Sequence, residues 1–268
     1  MNTVKHFTPQ DLYLHRSNLN SFLTEKLSPL VTDKTWMTEW RQLAERFQIF
    51  KFKDFSFEEA NEYTWDTVRV GELIEHTCNR AREFLPFDEI TITVFPAVPF
   101  PWHKNLPRPI WTNGFTNGPN NIQIAIPPHP DEDFLCYMIA HELHHATAKN
   151  PIYKLTPDTF TLAEWFKMEG GAEYFSLSLY PDKRWWKNDF SPETELLYWN
   201  MVKNNCDSAD GKIKNLFAFG DPKKGIPFMA GYAFAYNLFL AYTKYYPEKY
   251  YMDLLTVKPA EFLGIYQK

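Results

Sequence analysis

"MIAHELHHATAKN", residues 138–150, sets three histidines and a glutamate (His141, Glu142, His144 and His145) among apolar or helix-favouring neighbours. On an α-helix, positions i and i+4 lie on one face. His141 and His145 therefore project side by side, close enough to bind one metal ion. Glu142 is displaced to the side of that pair and can reach a water without being a ligand. This is the His-Glu-x-x-His spacing of zinc peptidases, in which the glutamate is the general base. The competing reading is a surface helix rich in histidine. His144, three residues after His141, reads as an exposed ring or as a neighbour of the ligands, not as a ligand.

A catalytic Zn²⁺ takes three protein ligands, and no third histidine follows within a few residues. Downstream, "MEGGAE" (168–173) places Glu169 and Glu173 at i and i+4. One carboxylate can bind the metal while the other accepts the N–H of a ligating histidine. Each glycine inside a helix costs roughly 1 kcal/mol relative to alanine. Gly170 and Gly171 therefore want a reason, and close approach of two helices around a metal is one. If the helix breaks there instead, both glutamates face solvent. Glu169 opens the segment and is the expected ligand, with Glu173 behind His141 or His145; Glu164 lacks a paired carboxylate and ranks lower.

Composition narrows the class. Of the 268 residues, 44% are hydrophobic and 23% charged, with a net charge of -5. That balance describes a soluble globular chain and argues against a nucleic-acid partner, which would show a basic stripe. No stretch approaches 18 apolar residues, so no membrane span is expected. The N-terminus lacks the apolar core of a signal peptide. Three dispersed cysteines, Cys78, Cys136 and Cys206, make no disulfide framework and point to a reducing cytoplasm. Nothing in the sequence specifies an oligomeric state.

Along the chain, Thr8-Pro9 opens a helix through "QDLYLHRSNLNSFLTEKL", and Asp33 opens a second through "KTWMTEWRQLAERFQIF". The Ser56-x-x-Glu59 capping box opens a third that ends before Pro86. Ten of the 20 prolines lie between residues 86 and 130, where helices give way to strands. "EITITVF" (89–95) and "NIQIAI" (121–126) read as strands. "TNGFTNGPN" between them reads as turn, and the proline-rich 96–111 as loop or edge. The histidine helix begins near Pro130 and stops before Pro151. Further helices start at Thr156-Pro157-Asp158 and cover about 192–205, 227–246 and a short pair at the end. The fold class is therefore α+β, with a helical region over 1–85, a domain over 86–268 and a helical C-terminal part. The two portions are expected to form one compact unit.

"HELHH" followed by "MEGGAEYF" resembles the gluzincin metallopeptidases, and more narrowly the bacterial predicted Zn-dependent proteases of the YjaZ type, a domain of unknown function. The resemblance runs over about residues 89–265 and includes "FMAGYAFAYNLF", with Ala235 where that family usually has glycine. It implies a zincin-like fold, a small mixed sheet whose edge strand lies over the histidine helix. It also implies Zn²⁺ on His141, His145 and Glu169, with Glu142 as base.

Peptide hydrolysis also wants a donor for the oxyanion. Tyr232 and Tyr236, four apart, are candidates, and the resemblance favours Tyr232; an aromatic pair at that spacing also suits a core. Strand 121–126, read as an exposed edge, is the expected docking strand for an extended peptide. Trp102 and His103 in the proline-rich loop are placed to roof such a cleft or to be ordinary loop residues. The function expected is a zinc-dependent peptidase acting on a peptide or protein. The alternatives are a metal-binding or partner-binding protein without catalysis, or a cytoplasmic regulator working through the N-terminal helices.

Overall fold

The computed structural model describes residues 2–87, 89–100, 106–181, 183–184 and 191–266. The chain is α+β, with a four-stranded mixed sheet, and it groups into two compact units, residues 1–148 and 149–268.

In the first unit the strands are β1 (Thr3–His6), β2 (Thr91–Pro96), β3 (Asn113–Gly118) and β4 (Asn121–Ile126), and their spatial order is β1-β2-β4-β3. β1, β2 and β4 run parallel, and β3 pairs antiparallel with β4. The helices are α1 (Pro9–Leu14), α2 (Leu19–Leu27), α3 (Trp40–Arg46), α4 (Phe57–Glu62), α5 (Thr67–Arg82) and α6 (Glu132–Ala146).

Side chains alternate across a strand, so the register divides the sheet into two faces. Phe95 and Ala125, paired in register, join Phe7, Leu12, Leu23, Leu43 and Phe52 in one core beneath the N-terminal helices. Ile92, Val94, Ile122 and Ile124 take the opposite face. Gly114 and Thr116 of β3 share that face and meet Glu142 of α6. A sheet covered on both sides needs apolar residues on both, hence the near-continuous apolar run of β4.

Strand β4 matches its expected range, but it is not an edge: β2 and β3 flank it. Among the described residues the edges are β1 and β3. β3 forms from residues that read as turn, because an outer strand tolerates glycine where a central one would not. The helix expected from Asp33 starts only at Trp40. Residues 32–38 run as an irregular strap, because Asn117 takes the backbone N–H groups of Trp36 and Met37. The third expected helix breaks between α4 and α5, where Asp66 caps a new start by accepting from Arg69 N.

The second unit is helical: α7 (Leu162–Leu179), α8 (Pro192–Val202), α9 (Gly211–Phe219), α10 (Ala230–Tyr245), α11 (Tyr251–Thr256) and α12 (Pro259–Tyr266). α7 begins at Leu162, not at Thr156, because Thr161 is the cap, accepting from Glu164 N. α7 packs closely on α10. A Cβ on Gly170 would stand 2.4 Å from the Ala235 carbonyl oxygen and 2.8 Å from Phe239 Cδ2. Gly170 thus serves the contact with α10. No helix among the described residues is long and apolar enough to cross a membrane.

Two glycine substitutions should therefore differ in sign. Gly71, in α5, has nothing within 4 Å of a built Cβ, so Gly71→Ala should stabilise by up to about 1 kcal/mol. Gly170→Ala gains the same propensity but meets a backbone oxygen that cannot turn aside. Overpacking of about 1–3 kcal/mol should leave it the less stable variant. Thermal denaturation of both against the parent checks the prediction.

Candidate metal centre

α6 starts where Asp131 accepts a hydrogen bond from Phe134 N (2.8 Å), with Glu132 and Asp133 in its first turn favouring the helix dipole. Arg69 of α5 donates from Nε to Glu132 (2.9 Å), tying the start of α6 to its neighbour. Every residue from Phe134 to Ala146 is buried. A helix buried all round must explain its polar members, because a buried polar group without a partner is costly.

His141 and His145 are 4% and 6% exposed, and their Nε2 atoms lie 3.1 Å apart with the rings at 82°. Two such nitrogens either bond to each other or both present lone pairs to a cation. Glu169 of α7, itself buried, brings a carboxylate oxygen to the same place. The ligand atoms of His141, His145 and Glu169 all lie within 4.8 Å of one another. Tetrahedral Zn²⁺, with bonds near 2.0–2.1 Å, sets neighbouring nitrogens about 3.3 Å apart. The donor set and the imidazole spacing therefore fit zinc.

Glu142 stands outside that group and is held by β3. Its Oε2 lies 2.8 Å from the Thr116 hydroxyl, which is also 2.9 Å from the Glu142 backbone carbonyl. A Cβ at Gly114 would sit 2.5 Å from Glu142 Cγ and Oε1. Gly114 is thus the position that lets the carboxylate lie against the strand. Neither residue emerged from the sequence reading. The available signal was a glycine inside an otherwise pairable segment, which marks close approach by another group.

His144 is buried, not exposed, and lies outside the three-residue group. Glu173 is fully buried one turn beyond Glu169. Tyr232 packs edge-on against Trp165 at 5.1 Å and beside Phe219 at 6.2 Å. Tyr236 is half-buried. Burial pushes its hydroxyl pKa up, the Arg184 guanidinium opposes that, and the Glu173 carboxylate adds to it. Trp102 and His103 lie outside the described residues.

The Thr116–Glu142 contact should be measurable. Leaving a buried carboxylate without its donor costs about 1–3 kcal/mol. Thr116→Val should lose that much stability in the parent and much less when Glu142→Leu is already present. A double-mutant cycle in guanidinium tests it, and equal losses in both backgrounds would exclude the coupling.

Comparison with curated proteins and with solved structures finds no match. Residues 70–264, which hold the strands β2–β4, the histidine helix and the Glu-Gly helix, match the family described as "Predicted Zn-dependent protease (DUF2268)", and the chain belongs to that family.

Proposed function

We propose that the protein is a zinc-dependent peptidase of the gluzincin kind, in which His141, His145 and Glu169 hold the ion. The observation that carries the reading is this buried trio together with a carboxylate fixed beside it on the next residue of the same helix. Zinc supplies Lewis acidity, polarising a scissile carbonyl and lowering the pKa of a water. Glu142 takes a proton from the attacking water as its oxygen bonds to the carbonyl carbon. The same carboxyl then delivers that proton to the leaving amine as the C–N bond breaks. Thr116 and Gly114 restrict Glu142 to one orientation, so the base is aimed before substrate arrives.

Substrate docking falls to β3 in place of β4. The Ile126 and Asn120 carbonyls accept from Ala97 N and Thr91 N on the β2 side. Even-numbered residues of β4 therefore face β2, and Gln123 and Ala125 turn toward Phe115 and Asn113 of β3. By alternation, Gly114 directs its N–H and C=O outward, to the side away from β4. An extended peptide pairing there would run past Glu142. Tyr232, which the family resemblance favours, and Tyr236 are the proposed oxyanion donors. Glu173 is proposed to accept a ring N–H from a ligating histidine and so set its tautomer.

Two sets of variants test the reading. Glu142→Gln should retain one zinc per chain and lose peptide hydrolysis by about 10²–10⁴-fold. Gly114→Ala, which displaces the same carboxylate, should follow it in direction. A Gln variant as active as the parent would remove Glu142 from the mechanism. His145→Ala and Glu169→Gln should abolish stoichiometric zinc, whereas Glu173→Gln should weaken binding about 10–100-fold. Metal analysis and competition with a chelator separate these outcomes.

A further inference from the structure

Beyond Gly114 and Thr116, the β3 edge is already occupied. The irregular strap over residues 32–38 lies against it at Asn117. Trp36 N donates to the Asn117 carbonyl (3.0 Å). The Asn117 side-chain amide then grips both main-chain groups of Met37: Oδ1 accepts from Met37 N (2.8 Å) and Nδ2 donates to Met37 O (3.3 Å). Asn117 is fully buried. The strap is braced internally. The Thr35 hydroxyl accepts from Thr32 N (2.8 Å) and lies 2.7 and 2.8 Å from the Thr32 and Met37 carbonyls. Gly118, at φ 153°, accommodates it, since a Cβ there would stand 3.1 Å from the Lys34 carbonyl oxygen. Asn121 Nδ2 donates to the Leu30 carbonyl just before the strap. All of these strap residues precede residue 70, where the family match begins.

We propose that this strap sets substrate specificity by closing one end of the docking edge. The inference rests on the peptidase reading above. An antiparallel ladder is the more stable way to extend an edge strand. A peptide antiparallel to β3 has its N-terminus toward Asn117 and its C-terminus toward Asn113. From Gly114 to Asn117 is three residues, roughly 10 Å at the rise of a strand. A bound peptide can therefore extend about three residues on its N-terminal side before its backbone meets Trp36 and Met37. Asn117 is the positioning residue that holds the barrier in place. The substrates favoured are those cleaved close to a free N-terminus, with the C-terminal side unrestricted.

The test uses the zinc-loaded full chain and a nested series of synthetic peptides. Each carries one cleavable bond, preceded by one to eight residues. The parent should cleave members with short leaders and lose at least tenfold in kcat/KM beyond about three residues. The loss should appear chiefly in KM. Binding of the same peptides to the Glu142→Gln protein, measured by calorimetry, should show the same length limit without turnover. Asn117→Ala, which removes both side-chain grips on Met37, should extend the accepted leader. Trp36→Pro, which removes the N–H donated to the Asn117 carbonyl together with the indole, should act in the same direction and leaves the Asn117 side chain in place. Cleavage and binding indifferent to leader length, or length limits unchanged in both variants, would overturn the strap's role and leave the peptidase reading standing. Absence of both cleavage and binding across the whole series would overturn the two together.

Discussion

A carboxylate on a helix buried from Phe134 to Ala146 is the constraint from which the arrangement of the first unit follows. Glu142 is 4% exposed and flanked by His141 and Leu143. It needs a hydrogen-bond donor and room, and α6 offers neither. β3 offers both, a hydroxyl at Thr116 and a missing side chain at Gly114. Those two demands make β3 poor in ordinary strand formers. Such a strand belongs at the edge of a sheet, and the edge is where its outward peptide groups remain available. The same compromise appears at Asn117 and Gly118, where the register slips against β4 and the strap attaches.

The parts of the molecule legible in the sequence are those whose local pattern and tertiary role agree. Strand β4 was found at its full extent because Asn121–Ile126 is β-favouring and bounded by turn and proline. The histidine helix was found because a periodic apolar frame carries imidazoles at helical spacing, and the Glu-Gly helix because its two carboxylates repeat that spacing. β3 was hidden, since "NGFTNG" is turn chemistry by composition and strand only by virtue of β4 and Glu142. The strap was hidden for the opposite reason. "KTWMTEW" has helical periodicity, and the backbone donors that a helix would use are taken by Asn117. β1 is four residues long, too short for alternation to register. α9 was missed although its signal is plain afterwards: Asp210 caps it by accepting from both Lys212 N and Ile213 N.

The glycines of the Glu-Gly segment show how a correct location can carry an incomplete reason. Close helix approach was expected there on account of a metal. Gly170 instead answers to α10, through the Ala235 carbonyl. The carboxylate of Glu169 and the contact of Gly170 are adjacent in sequence and serve different neighbours. Packing on α10 thereby fixes the azimuth of α7, and with it the direction in which Glu169 points. Rigidity at a candidate ligand comes from such packing, since a site built on locked helices holds its geometry better than one built on loops.

The parallel strand order has a consequence for the newborn chain. Among the described residues β1 pairs only with β2, Thr3 opposite Thr91, and β2 in turn lies against β4. β1 is thus without its sheet partner until residues 91–94 have been made. The N-terminal helices are in the same position, because their core includes Phe95 and Ala125. Closing such long loops is entropically costly before any contact rewards it. The N-terminal segment therefore emerges as an unsatisfied amphipathic chain. Pairing of β1 and closure of the N-terminal core wait until β2 and β4 have been made.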